Sequence, residues 1–119
     1  MKKLFTFLLF LFFITKSFAQ FDTEHWFAPM ADASNGSEAQ QYIYVSTNES
    51  TPFKVDIYNN NIVIGTINNL SKGSPQKFSI PREYIITSDN TEINAKATLG
   101  LHLVGEKKFF ANLRFSVFN

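Results

Sequence analysis

Side chains alternate strictly between apolar and polar along Phe53-Lys54-Val55-Asp56-Ile57-Tyr58. A two-residue period of this kind fits a strand with one covered face and does not fit a helix. Ile62-Val63-Ile64-Gly65-Thr66-Ile67 follows as a second arm. Its β-branched, nearly continuous apolar character predicts a more deeply buried strand. Asn59-Asn60-Asn61 separates the two arms. Asparagine tolerates positive φ and bonds to its own backbone, so the run predicts the turn of a hairpin.

The same theme recurs through the rest of the chain. Trp26, Phe27 and Met30 predict a first short strand after a flexible start at Gln20 to Glu24, with Pro29 confining it to an edge or an end. Residues 31–40 are small and polar and read as a loop. Gln41 to Ser46 and Gln76 to Ile80 alternate as strands, and Pro81-Arg82-Glu83-Tyr84 suits one helical turn before Ile85-Ile86-Thr87 extends again. Residues 98–104 and 109–118 read as a second hairpin across Gly105-Glu106-Lys107. Strands at about ten-residue spacing with polar turns predict an all-β domain, an antiparallel β-sandwich of Ig-like or jelly-roll-like type. Its expected core is Val55, Ile57, Ile62, Ile64, Phe78, Leu101, Leu103, Leu113 and Phe115.

Residues 1–19 stand apart as a secretory signal peptide. Lys2 and Lys3 precede the apolar run Leu4–Ile14, and Ser17 and Ala19 place small residues at the −3 and −1 positions of a cleavage site. The run is too short for a stable transmembrane anchor, which needs about 20 residues. The domain is therefore expected to span residues 20–119, exported to the cell surface or secreted. Lys2, Lys3 and Lys16 leave with the signal. Of the 11 basic residues 8 then remain against 10 acidic ones, and the net charge falls from +1 to about −2. That balance, with no basic patch interleaved with aromatics, argues against a nucleic-acid partner. The chain has no cysteine, so such an exported domain must hold itself by core burial.

No catalytic constellation is written in the chain. It lacks a nucleophile elbow, a zinc-protease helix motif and a glycine-rich phosphate loop, so the expectation is a non-enzyme with no cofactor and no metal site. His102, between Leu101 and Leu103, is expected to face solvent. His25 beside Asp22 and Glu24 is the one acid-plus-imidazole cluster in reach of a metal, but no further ligands at suitable spacing can be named. Asp32 to Glu38 departs from a calcium loop because its glycine comes one position early and no glutamate stands at the twelfth place. The candidate binding surface is Trp26, Asp32, Asn35, Tyr42 and Tyr44, with residues 31–40 and 68–74 as loops held on a rigid scaffold.

Thr23-Glu24-His25-Trp26-Phe27-Ala28-Pro29, Tyr42 to Thr47, the Thr51-Pro52-Phe53 hairpin start and Phe110 to Phe115 together carry a resemblance. Over residues 22–118 the chain resembles the N-terminal β-module of large exported, gliding-motility-associated proteins of Bacteroidetes, and more loosely the IgG Fc-binding protein N-terminal domain. The resemblance implies a cell-surface or secreted multidomain protein of the type IX secretion route, with no catalytic residues. No sorting domain of that route stands in the sequence. Together with the aromatic strand that ends at Asn119, this gives the expectation that the chain is a fragment, the front piece of a longer protein. The expected function is a binding or adhesion module whose partner is a protein or glycan surface ligand or the neighbouring domains. The alternative is a structural or carbohydrate-binding accessory domain of a secreted hydrolase.

Overall fold

A computed structural model of the chain describes residues 21–31, 38–87 and 99–117. The segment read as a signal peptide, residues 1–19, and the candidate binding residues Asp32 and Asn35 lie outside them. The elements are β1 (Asp22–Phe27), β2 (Met30–Ala31), β3 (Glu38–Ser46), β4 (Phe53–Asn59), β5 (Ile62–Leu70), β6 (Gln76–Ser79), a 3-10 turn (Arg82–Tyr84), β7 (Ile86–Thr87) and β8 (Leu101–Val117). The protein is all-β, and its main sheet, in the order β5-β4-β8-β3-β6 with β1 also on β8, is antiparallel and nearly closed into a barrel. β2 and β7 form a separate parallel pair.

The hairpin expected over residues 53–67 forms as β4 and β5. Asn59 pairs with Ile62, which leaves Asn60 and Asn61 as a two-residue turn with φ of 46° and 63°. Two successive positive φ values are what a type I′ hairpin needs, and asparagine supplies them at little steric cost. Along β4, Phe53, Val55 and Ile57 are buried, while Lys54 is exposed. On β5 the expected deep burial fails. Ile62 is 67 % exposed and Val63 49 %, and only Ile67 and Leu70 are buried. The start of β5 belongs to the hairpin tip, so its β-branched residues have sheet propensity without a layer above them.

β8 is the largest departure from the sequence expectation. The predicted hairpin around Gly105-Glu106-Lys107 is one continuous strand of 17 residues. Its register against β1 jumps from Asp22↔Phe109 to Glu24↔Val104, so extra β8 residues bulge where the turn was expected. A bulge bends a strand without reversing it. Gly105 permits the bend, because a Cβ there would lie 2.8 Å from the Phe109 ring. Beyond the bulge β8 changes neighbours: Leu101–Gly105 runs beside β1 and β4, and Phe110–Val117 pairs with β3. One strand thus belongs to both halves of the sheet.

The core lies inside this curve. Ile43, Val45, Phe53, Val55, Ile57, Ile67, Leu70, Ile80, Ile85, Ile86, Leu101, Leu103 and Phe109 are buried, with Ile64, Phe78, Leu113 and Phe115 packed against them. Of the expected core residues only Ile62 is outside. Asp22–Glu24, expected to be a flexible start, belongs to β1. Pro81 precedes the 3-10 turn as its N-cap, close to the expected helical turn.

Candidate functional site

The register places four side chains in one row across four strands. Val63 of β5 opposes Tyr58 of β4, Tyr58 opposes His102 of β8, and His102 opposes Trp26 of β1. Residues directly opposite in a sheet share a face, and here it is the outer one, since Ile57 and Leu103 one position along are fully buried. The row spans about 14 Å, three strand spacings of roughly 4.8 Å.

Trp26 and His102 are stacked, with ring centroids 3.6 Å apart and planes within 8°. The Tyr58 ring lies 5.8 Å from His102 on its other side. His102 Nε2 is 3.1 Å from Glu24 Oε2, which ties the imidazole to the next residue outward on β1. Trp26 is nevertheless 71 % exposed. Such a ring pair contributes about 1 kcal/mol beyond area burial, so the indole is held in place while its other face stays in water. The two asparagines of the hairpin turn, Leu99 to Leu101 and Phe27 to Pro29 border a cleft of about 430 Å³ alongside the row. Asn59 fixes this end of the molecule by donating its amide to Gly100 O at 2.9 Å.

The next row along the same outer face carries charge. Thr66 opposes Asp56, and Asp56 opposes Val104, the partner of Glu24. Asp56 accepts from Thr66 Oγ1 at 2.8 Å and from Lys54 Nζ at 3.0 Å. The threonine hydrogen bond first, and the lysine second, hold its carboxyl below the ordinary value of 3.8. The same pairing raises Lys54.

His25, one residue before Trp26, has the opposite orientation. Its Nε2 is 2.8 Å from Phe109 O, and its ring meets the buried Phe109 edge-on at 4.6 Å. A carbonyl only accepts, so Nε2 carries the hydrogen. Glu24 and His25 therefore point to opposite faces, and the acid-plus-imidazole cluster read from the sequence does not converge.

Tyr42 and Tyr44 lie elsewhere, on the outer face of the half formed by β3, β6 and the end of β8. Their rings are 6.1 Å apart, with Lys77 Nζ 4.9 Å from the centre of Tyr42 and the Arg114 guanidinium 4.9 Å from that of Tyr44. Trp26 is thus separated from the tyrosines with which it was grouped. The sequence reading missed Tyr58 and His102 as partners of Trp26. The alternation on β4 puts Tyr58 on the outer face, but the registers that join four strands into a row are set by long-range pairing. Of residues 68–74, expected as a binding loop, 68–70 continue β5, and only Ser71 to Ser74 form a tight turn, closed by Ser74 N donating to Ser71 O at 3.0 Å. Comparisons with family models, with curated proteins and with solved structures give no match to this chain.

Proposed function

We propose that this chain is a non-enzymatic binding module of an exported or cell-surface protein and that its ligand lies along the row Val63-Tyr58-His102-Trp26. One observation carries the reading: the single tryptophan of the chain is 71 % exposed yet held flat against His102. Large aromatic side chains are normally spent on core burial, and an indole kept rigid in water offers ready contact area at little entropic cost. Among the expected ligands a glycan suits the row best. A sugar ring presents a C–H face to the indole, and its hydroxyl rim finds acceptors and donors in Asn60 and Asn61 of the cleft and in Glu24 beside His102.

The setting rests on the sequence. The leader at residues 1–19 supports export, and the resemblance to gliding-associated modules supports a place in a larger surface protein. The Phe78 ring of β6 lies against Gly65 of β5, so the two ends of the sheet meet, a closure compatible with a sandwich-like form. Export and processing leave Gln20 first, which N-terminal sequencing of secreted protein checks.

The function is tested by presenting the exported chain to a glycan array, to immobilised immunoglobulin and to bare surfaces, beside Trp26→Ala. Retention on a subset of glycans that falls about tenfold or more in Trp26→Ala supports the reading. Binding to immunoglobulin that Trp26→Ala leaves unchanged overturns it.

A further inference from the structure

We propose that the outer face of β3, β6 and the end of β8 is a second ligand site, specific for carboxylated polysaccharide. It stands on observations independent of the tryptophan row. The registers lay out six positions as two rows, Ser79-Tyr42-Arg114 and Lys77-Tyr44-Asn112. Each cation reaches diagonally over the tyrosine of the other row, Lys77 over Tyr42 and Arg114 over Tyr44.

This arrangement holds the cations without using their hydrogen bonds. A guanidinium lying on an aromatic face is oriented by the ring quadrupole, and its N–H fork stays available at the edge. Both cations are exposed, and among the residues whose side chains are described neither has a carboxylate in ion-pair range. The tryptophan face differs, since its cation Lys54 is already paired with Asp56 and Glu24 stands beside His102. Charge therefore selects an anion here, and Arg114 is arranged to take a carboxylate by two parallel hydrogen bonds.

The surrounding groups select the kind of chain that bears the carboxylate. None of the six positions holds an aliphatic side chain. An acidic peptide would find little apolar seat for the anchor residues that carry protein interfaces, since Lys77 and Arg114 lie over the tyrosine rings and Phe110, one row along, is half-buried beside Phe21. Nucleic acid draws its affinity from many phosphate contacts, and two cations supply few. A sugar acid matches what is present: hydroxyls for the side chains of Asn112, Ser79 and Tyr44, and a carboxylate for Arg114 or Lys77.

The test uses the purified chain and three soluble probes in affinity electrophoresis: polygalacturonate, its methyl ester, and polyglutamate. The expected result is retardation by polygalacturonate alone. It weakens about tenfold in Arg114→Gln, the loss of a charged hydrogen-bonding partner, and it weakens in Lys77→Gln, each variant melting like the parent. Arg114→Lys keeps the charge and loses the fork, so it recovers only part of the binding. Trp26→Ala leaves this retardation unchanged, which separates the second site from the first. Equal retardation by polyglutamate makes the site a general acidic-polymer or peptide surface and overturns the proposal. So does equal retardation by the methyl ester, or polygalacturonate binding that survives Arg114→Gln together with Lys77→Gln.

Discussion

Val55 has no solvent exposure, whereas the preceding residue, Lys54, projects from the opposite face of the same strand. Val55→Asp buries an unpaired charge and should cost several kcal/mol, about 3 or more, enough to unfold a domain of ordinary stability. Lys54→Gln should change stability little, because the ion pair it removes is exposed and screened by solvent. Thermal melts of the two variants compare them directly, and equal tolerance would contradict the face assignment. Asp56 adds a dependence on pH. Its folded-state pKa is held down by Thr66 and then Lys54, so the folded chain binds fewer protons there than the unfolded one. The stability it contributes is complete above the ordinary value of 3.8 and is lost as pH falls through the lower folded value. Thr66→Val should make the acid limb of a stability–pH curve shallower while leaving its upper limb in place. Both effects belong to single side chains whose face was legible from alternation alone.

At the scale of elements, Gly65 and β8 carry the fold. An ideal Cβ on Gly65 would come 2.2 Å from the Phe78 ring. Gly65→Ala should therefore destabilise by about 1–3 kcal/mol through overpacking. The Gly65→Ala, Phe78→Ala pair should be less costly than the sum of the singles, because the two mutations relieve one contact. The continuous β8 predicts slow amide exchange on both sides of Gly105, within Leu101–Val104 and Phe110–Leu113. A hairpin there would instead fold residues 109–117 back onto 101–104, and the β1 and β3 pairings of β8 would not coexist. The strand periods and most of the core were legible, because β3 from Gln41, β4 and β8 from Leu101 to Gly105 bury every second residue. The bulge was not. Gly105-Glu106-Lys107 has the composition of a turn, and only the partners of β8, supplied by β1, β3 and β4 from distant parts of the chain, keep it extended. Ile62 failed for a related reason, since apolar content at a hairpin tip does not say whether a second layer lies above it.

For the whole molecule, the two outer faces differ in chemistry: an aromatic row edged by Glu24 and Asp56, and a tyrosine pair capped by Lys77 and Arg114. Sequence inspection found Trp26, Tyr42 and Tyr44 but grouped them as one surface. The topology divides them, because β1 pairs with the first part of β8 and β3 with the last. Asp32 and Asn35, the other two candidates, fall outside the described residues. The central claim is that ligand contacts the stacked indole. Because Trp26 is the only tryptophan, emission excited selectively at the indole, away from the four tyrosines, reports on that site and no other. Titrating the purified chain with a glycan that it retains should give a saturable change in Trp26 emission, with weaker affinity in His102→Ala, which removes the support of the indole. Saturable binding of that glycan with no change in Trp26 emission, and with the same affinity in His102→Ala, would contradict the account.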